Sequence, residues 1–191
     1  MLKTPPSDNI APGQALTVRP ARLEDLARID ELERLVWREL AASYEELKRR
    51  FRSFPQGLLV AAAGSEVLGF CCGILTDQDA TLAPLDESFP PRHTPKGAYF
   101  FVYGLTVDPV FRKRGVGRCL GAEEVRVATR QGCKAVQLVA NQFSRPLFEG
   151  LGLKVVRPVT ELFAAHRELM PDPVLMETRL DGANESHQSH Q

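Results

Sequence analysis

AYFFVYGLTVDPVFRKRGVGRCLGAEEVRVATRQG, residues 98–132, carries three patterns in succession. Ala98 to Val107 is rich in aromatic and β-branched residues and predicts a long strand, which Asp108-Pro109 closes. FRKRGVG then reads as a loop. From about Gly115 to Gln131 the spacing of Val116, Leu120 and Val127 predicts a helix with Gly132 as its stop. A loop with two glycines that enters a helix N-terminus presents unpaired backbone N–H groups in a concave array, with the positive end of the helix dipole behind them. Gly115 and Gly117 let oxyanions approach the backbone, and Arg112, Lys113, Arg114 and Arg118 supply charge around them. These residues suit a phosphate cradle; on composition alone they suit a surface turn with a solvated basic cluster equally well. The G-x-x-x-x-G-K-[ST] loop of nucleotide triphosphatases is missing, as is the third glycine of a dinucleotide fingerprint, so a cradle here is of another type.

Outward from this stretch, Ala15 to Arg19 reads as a short strand closed by Pro20, and Leu23, Leu26, Ile29, Leu32 and Val36 recur at helical spacing to about Leu40. Ser43 with Glu46 forms a capping-box pattern for a second helix whose Tyr44, Leu47 and Phe51 share a face, with Pro55 just beyond. LLVAAA and VLGFCCGIL, separated by Gly64-Ser65-Glu66, read as a hairpin of buried strands, with Cys71 and Cys72 as small core residues. Thr76 to Gly97 is a long loop. After the 98–132 unit come the strand AVQLV, a short helix through Phe148 and Glu149 capped by Asn141 and Ser144, the strand in GLGLKVV, an unassigned segment from Thr160 to Asp172, and the strand VLMETRL. The order β-α-α-β-β-β-α-β-α-β-β predicts one α/β domain over residues 15–181, with a mixed sheet of about seven strands and helices on both faces. Residues 1–14 and 182–191 lack large apolar docking groups and are expected to be disordered.

The 191 residues carry 24 Lys and Arg against 24 Asp and Glu, with 43% apolar and 25% charged residues. A balanced charge and a pI near 6.9 give no global field for nucleic acid or an anionic membrane. The longest uncharged run, Ser53 to Ser65, is far short of a bilayer span of roughly 18 residues. Four cysteines without C-x-x-C spacing or a neighbouring histidine argue against a metal site and fit reduced thiols in a cytoplasm. No secretory signal pattern opens the chain, and the expected location is cytoplasmic.

V-x-P-x-x-R-x-x-G-x-G, written from Val107 to Gly117, resembles motif A of the GCN5-related N-acetyltransferases. Asn141 followed by LFEGLGL is similar to that family's N-x-x-A-x-x-L-Y-E-K-L-G-F segment, TVRPARLEDLARI to its first strand and helix, and FPQGLLVAAAGSEVLGF to its second and third strands. The resemblance implies a mostly antiparallel twisted sheet splayed between the fourth and fifth strands, with acetyl-CoA in the gap and no metal. It implies pyrophosphate on the main-chain amides of Arg112, Lys113, Arg114, Gly115, Val116, Gly117 and Arg118. Leu105, Thr106 and Val107 would offer strand backbone to the pantetheine arm and thioester carbonyl, and Asn141 would contact the pantetheine side. Expected partners are a CoA thioester and an amine acceptor, with a homodimer left open.

The implied reaction is acetyl transfer to a primary amine of a small molecule, peptide or protein by direct attack on the thioester. It needs a base for the amine proton, amides for the oxyanion and a route for the leaving thiolate. Phe148 stands where the family often has an acidic tyrosine, so this ring donates no proton; a thiolate of pKa near 8.5 leaves without one. The alternative is a CoA-binding module with weak or no catalysis. No catalytic residue is assigned: Tyr99, Tyr103, His93, Glu161 and His166 read first as structural or solvated groups and second as candidate bases, Tyr103 foremost among them. Trp37, with Arg38 and Glu39, is either core or part of an acceptor wall.

Overall fold

The computed structural model describes residues 15–83 and 89–180; the expected terminal segments 1–14 and 182–191 lie outside these. The strands are β1 (Leu16–Pro20), β2 (Leu58–Ala63), β3 (Glu66–Thr76), β4 (Tyr99–Val107), β5 (Ala135–Ala140), β6 (Lys154–Pro158) and β7 (Val174–Arg179). The helices are α1 (Leu26–Trp37), α2 (Tyr44–Ser53), α3 (Val116–Arg130) and α4 (Arg145–Glu149), in the order the sequence predicts. The strands form one seven-stranded mixed sheet ordered β1-β2-β3-β4-β5-β7-β6. Contacts divide the chain into two compact units, residues 15–71 with 105–120, and 72–83, 89–104 and 121–180.

In the first unit β1 and β2 are antiparallel, from Leu16 opposite Ala63 to Pro20 opposite Leu59. Pro20 belongs to β1 rather than closing it, which is tolerated because β1 is an edge strand and lacks a further neighbour to demand the missing N–H. Every residue of β2 is buried, as its continuous apolar run requires. Leu26, Ile29 and Leu32 of α1 and Leu47 of α2 are fully buried, but Leu23 is 66% exposed. Leu23 sits in a preceding 3-10 turn, Leu23–Asp25, whose turn of three residues takes it off the helical stripe. The first helix also stops three residues early: Arg38 adopts φ 49°, ψ −116°, and Arg38–Leu40 is a 3-10 turn. Ser43 caps α2 as expected, its hydroxyl accepting the Glu46 N–H.

In the second unit β5 pairs parallel with β4, from Tyr99 opposite Ala135 to Val102 opposite Leu138. The paired residues end at Val102 and Leu138, whereas β4 continues to Val107 and β5 to Ala140. β7 is antiparallel to both β5 and β6. Phe100, Leu138, Leu175 and Met176 fill the core of this unit. The segment left unassigned in the sequence contains a 3-10 stretch, Thr160–His166, kinked at Phe163; it has no apolar periodicity by which to read it.

Candidate functional site

Asp108, the residue after β4, organises the loop. It is buried, and one carboxylate oxygen accepts the Val110 N–H at 2.9 Å, capping the 3-10 turn Pro109–Phe111. The other oxygen takes Arg28 Nη2 of α1 at 2.5 Å, and the Asp108 N–H donates to the Leu68 carbonyl of β3 at 2.9 Å. Phe111 is buried, with the Arg114 guanidinium 5.7 Å over its ring. Arg112 turns its Nε back onto the Val107 carbonyl at 3.3 Å.

The chain then reverses twice. Lys113 has φ 61° and Gly115 φ 83°, both left-handed, and a side chain at Gly115 would meet open space. The glycine is therefore required by its backbone angle rather than by crowding. Gly115 is the last residue before α3, and its carbonyl accepts the Cys119 N–H at 3.0 Å, the first bond of the helix. The N–H groups of Val116, Gly117 and Arg118 precede that bond and have no acceptor within the helix. They present a donor array at the positive end of a 15-residue helix. Arg112, Lys113, Arg114 and Arg118 are exposed around it, whereas the Val116 side chain is buried, so Val116 can offer only its amide. This arrangement can hold a compact anion such as a pyrophosphate.

β4 delivers the chain to this loop. A methyl group at Gly69 of β3 would lie 2.7 Å from the Thr106 carbonyl oxygen, so that carbonyl faces β3. Successive residues of a strand send their peptide groups to opposite edges, so Leu105 and Val107 direct theirs away from β3. The Thr106 side chain, 1% exposed, accepts the indole N–H of Trp37 at 2.7 Å.

The remaining predicted residues belong to the second unit. Asn141 follows β5 with its side chain committed: Oδ1 accepts the N–H groups of Phe143 and Ser144, each at 3.0 Å, and Nδ2 donates to the Leu169 carbonyl at 3.1 Å. Ser144 is the residue before α4, but the capping oxygen belongs to Asn141. Phe148 is buried on α4. Tyr103 donates its hydroxyl proton to the Pro91 carbonyl and packs edge-on against Phe101. Burial and a hydrogen bond with Asp79 push the Tyr99 hydroxyl above its ordinary range, so it holds its proton. Burial holds His93 below the usual histidine value, opposed by a hydrogen bond with the Leu75 backbone. Glu161 lies in the first turn and His166 in the last turn of the 3-10 stretch Thr160–His166. Sequence reasoning did not find Arg28 or Glu33. Glu33 is a buried α1 carboxyl that accepts the Ala42 N–H at 3.1 Å and whose pKa burial raises. Neither partner is near in sequence, and an arginine or glutamate on a polar helix gives no signal of its own.

Among the described residues, no group of three or more His, Cys, Asp or Glu side chains is arranged to hold a metal ion, and no helix is long and apolar enough to cross a membrane. Fold and loop together define an α/β protein with a basic loop and an array of backbone donors where β4 passes into α3. The chain belongs to the acetyltransferase (GNAT) family, whose sequence profile matches residues 23–153. Among curated proteins it is 24% identical over 156 residues to human N-alpha-acetyltransferase 30, an alignment covering 79% of this chain and 39% of that protein. The chain thus spans about two fifths of that relative's length. Among solved structures it is similar to the loading GNATL domain of CurA from Lyngbya majuscula, with TM-score 0.74, 20% identity, and coverage of 86% of this chain and 98% of that one. It is also similar to the GphF GNAT-like decarboxylase in complex with isobutyryl-CoA, with TM-score 0.70, 23% identity, and coverage of 85% and 98%. At these identities the structural likenesses establish the fold.

Proposed function

We propose that this chain is an acyl-CoA-dependent N-acyltransferase that moves acetyl from acetyl-CoA to a primary amine of a small molecule, peptide or protein. The observation that carries this reading is the donor array of Val116, Gly117 and Arg118, set by the left-handed Lys113 and Gly115 and pinned through Asp108. The CoA pyrophosphate binds these amides within the Arg112 to Arg118 loop, and Leu105 and Val107 offer outward peptide groups to the pantetheine amides as an added strand would. Thr106, whose carbonyl faces β3, shapes that strand through its side chain. Asn141 supports the pantetheine side by holding the turn after β5, since its own amide is engaged. The relative's name, N-alpha-acetyltransferase, supports a peptide N-terminus as the first acceptor to try.

In the reaction the neutral amine nitrogen attacks the thioester carbonyl carbon, a tetrahedral oxyanion forms, and the C–S bond breaks to expel CoA thiolate. The proton lost from nitrogen passes to a base or to water, and the thiolate needs no donor at Phe148 because its conjugate acid is weak, with pKa near 8.5. We assign this reaction to the domain of residues 15–181 and to the cytoplasm. The test is thiol release from acetyl-CoA with peptides bearing a free N-terminus, N-blocked lysine peptides and small polyamines. Amine-dependent release above hydrolysis is expected. Calorimetric CoA binding with no amine-dependent release would support the binding-module alternative, and absence of CoA binding would sink both.

A further inference from the structure

Trp37 ends α1 and bonds, 69 residues along the chain, to the buried hydroxyl of Thr106 on β4. One helical turn earlier on the same side of α1, Glu33 accepts the N–H of Ala42 at 3.1 Å, across the connection between α1 and α2. Between these two anchors lies Arg38 at φ 49°, ψ −116°, a backbone state that a non-glycine residue holds only when its surroundings over-determine it. Two side chains of α1 therefore set the turn of residues 38–42, one of them by fastening it to the strand whose outward peptide groups, Leu105 and Val107, flank Thr106.

We propose that Trp37 is a positioning residue: its indole N–H locks the end of α1 and the turn after it to Thr106, and so fixes the stretch of β4 along which the thioester is held. This inference rests on the N-acyltransferase reading and adds to it a helix-to-strand bond that orients the acyl-side strand. Thr106 matters here through its side chain, and Trp37 touches neither reacting atom.

Since orientation multiplies rate while pyrophosphate affinity resides in the separate 112–118 loop, the variants should separate the two. W37F, which keeps a ring and removes the N–H, is expected to lower kcat/KM for the best amine of the panel about tenfold, the loss of one buried hydrogen bond. T106V is expected to match it, T106S to restore activity, and W37F/T106V to fall no further than either single variant. CoA affinity by calorimetry should stay within about twofold in all four. Because Trp37 is the chain's single tryptophan, its emission is a readout independent of turnover and should shift in T106V but not in T106S. Wild-type kinetics in W37F, or additive losses in the double variant, would overturn the proposal alone. A wild-type protein that turns over no amine would overturn it together with the reading beneath it, and an emission shift in T106V would still locate that failure in the chemistry rather than in the Trp37–Thr106 bond.

Discussion

Asp108→Ala tests whether the cradle is held from outside itself. The substitution removes two bonds: the carboxylate cap on Val110 N–H and the pair with Arg28. Loss of a side-chain cap costs about 1 kcal/mol. The pair is bidirectionally useful but Arg28 is 35% exposed, so solvent screening limits its share to about 0.5–1 kcal/mol. The sum, about 2 kcal/mol, corresponds to a fall in Tm of about 4–8 °C for a chain of this size. Asp108→Asn keeps an oxygen for Val110 and loses only the charge, so it should cost about 2–3 °C. Because the cap orders the residues that lead into the donor array, its loss should also weaken CoA binding about fivefold, the equivalent of 1 kcal/mol. Thermal unfolding and titration calorimetry on wild type, D108A and D108N decide it. If D108A binds CoA as wild type does, or D108N is as damaging as D108A, then the cap does not order the cradle and the argument fails.

Gly69→Ala places a methyl group 2.7 Å from the Thr106 carbonyl, a backbone atom that cannot rotate away, so β3 and β4 must part; a loss of about 2 kcal/mol by chemical denaturation is expected, and an unaffected midpoint would show that the strands have slack. Glu33→Gln keeps an acceptor for Ala42 N–H but cannot ionise. Burial raises the Glu33 pKa in the fold, with Ala42 N–H and Arg50 opposing it, so the stability this group adds is present below the unfolded value of roughly 4.3 and is lost as pH rises through the folded one. E33Q should therefore gain on wild type between acid and neutral pH, and a pH-independent difference between about pH 4 and 8 would refute it. Phe148→Tyr restores the family's hydroxyl; kcat should change less than about threefold, whereas a rise of 100-fold, the size of a general-acid contribution, would show that thiolate departure limits the reaction.

What could be read from sequence and what could not divide by distance along the chain. The strand, loop and helix from Ala98 to Gly132 are a local pattern, and so are the Ser43 cap and the apolar run of β2; all appear in the fold. Leu23 was misplaced because periodicity does not distinguish a helix from the 3-10 turn that precedes it, and the end of α1 was overrun because nothing in Trp37-Arg38 announces a positive φ. The bonds that hold the site span 80 residues from Arg28 to Asp108 and 69 from Trp37 to Thr106. Such contacts leave no spacing signal, since either residue would be equally at home on a solvated surface. The candidate bases show the converse: Tyr103, foremost by alternation along β4, proves to spend its hydroxyl on the Pro91 carbonyl.

The same bonds explain how a chain with equal numbers of acids and bases keeps a positive cradle. Asp108 adjoins the loop in sequence, and had it paired with Arg112, an arriving phosphate would have had to compete with it. Instead its carboxylate is turned inward onto Arg28, which lies outside the loop, and the Arg112 Nε donates to a neutral group, the Val107 carbonyl. A charge resting on a carbonyl gives up little when it swings to a phosphate oxygen, whereas one leaving a carboxylate gives up an ion pair. Arg28 thus takes the structural pairing with Asp108 while Arg112 keeps a neutral partner, in a chain whose net charge is zero.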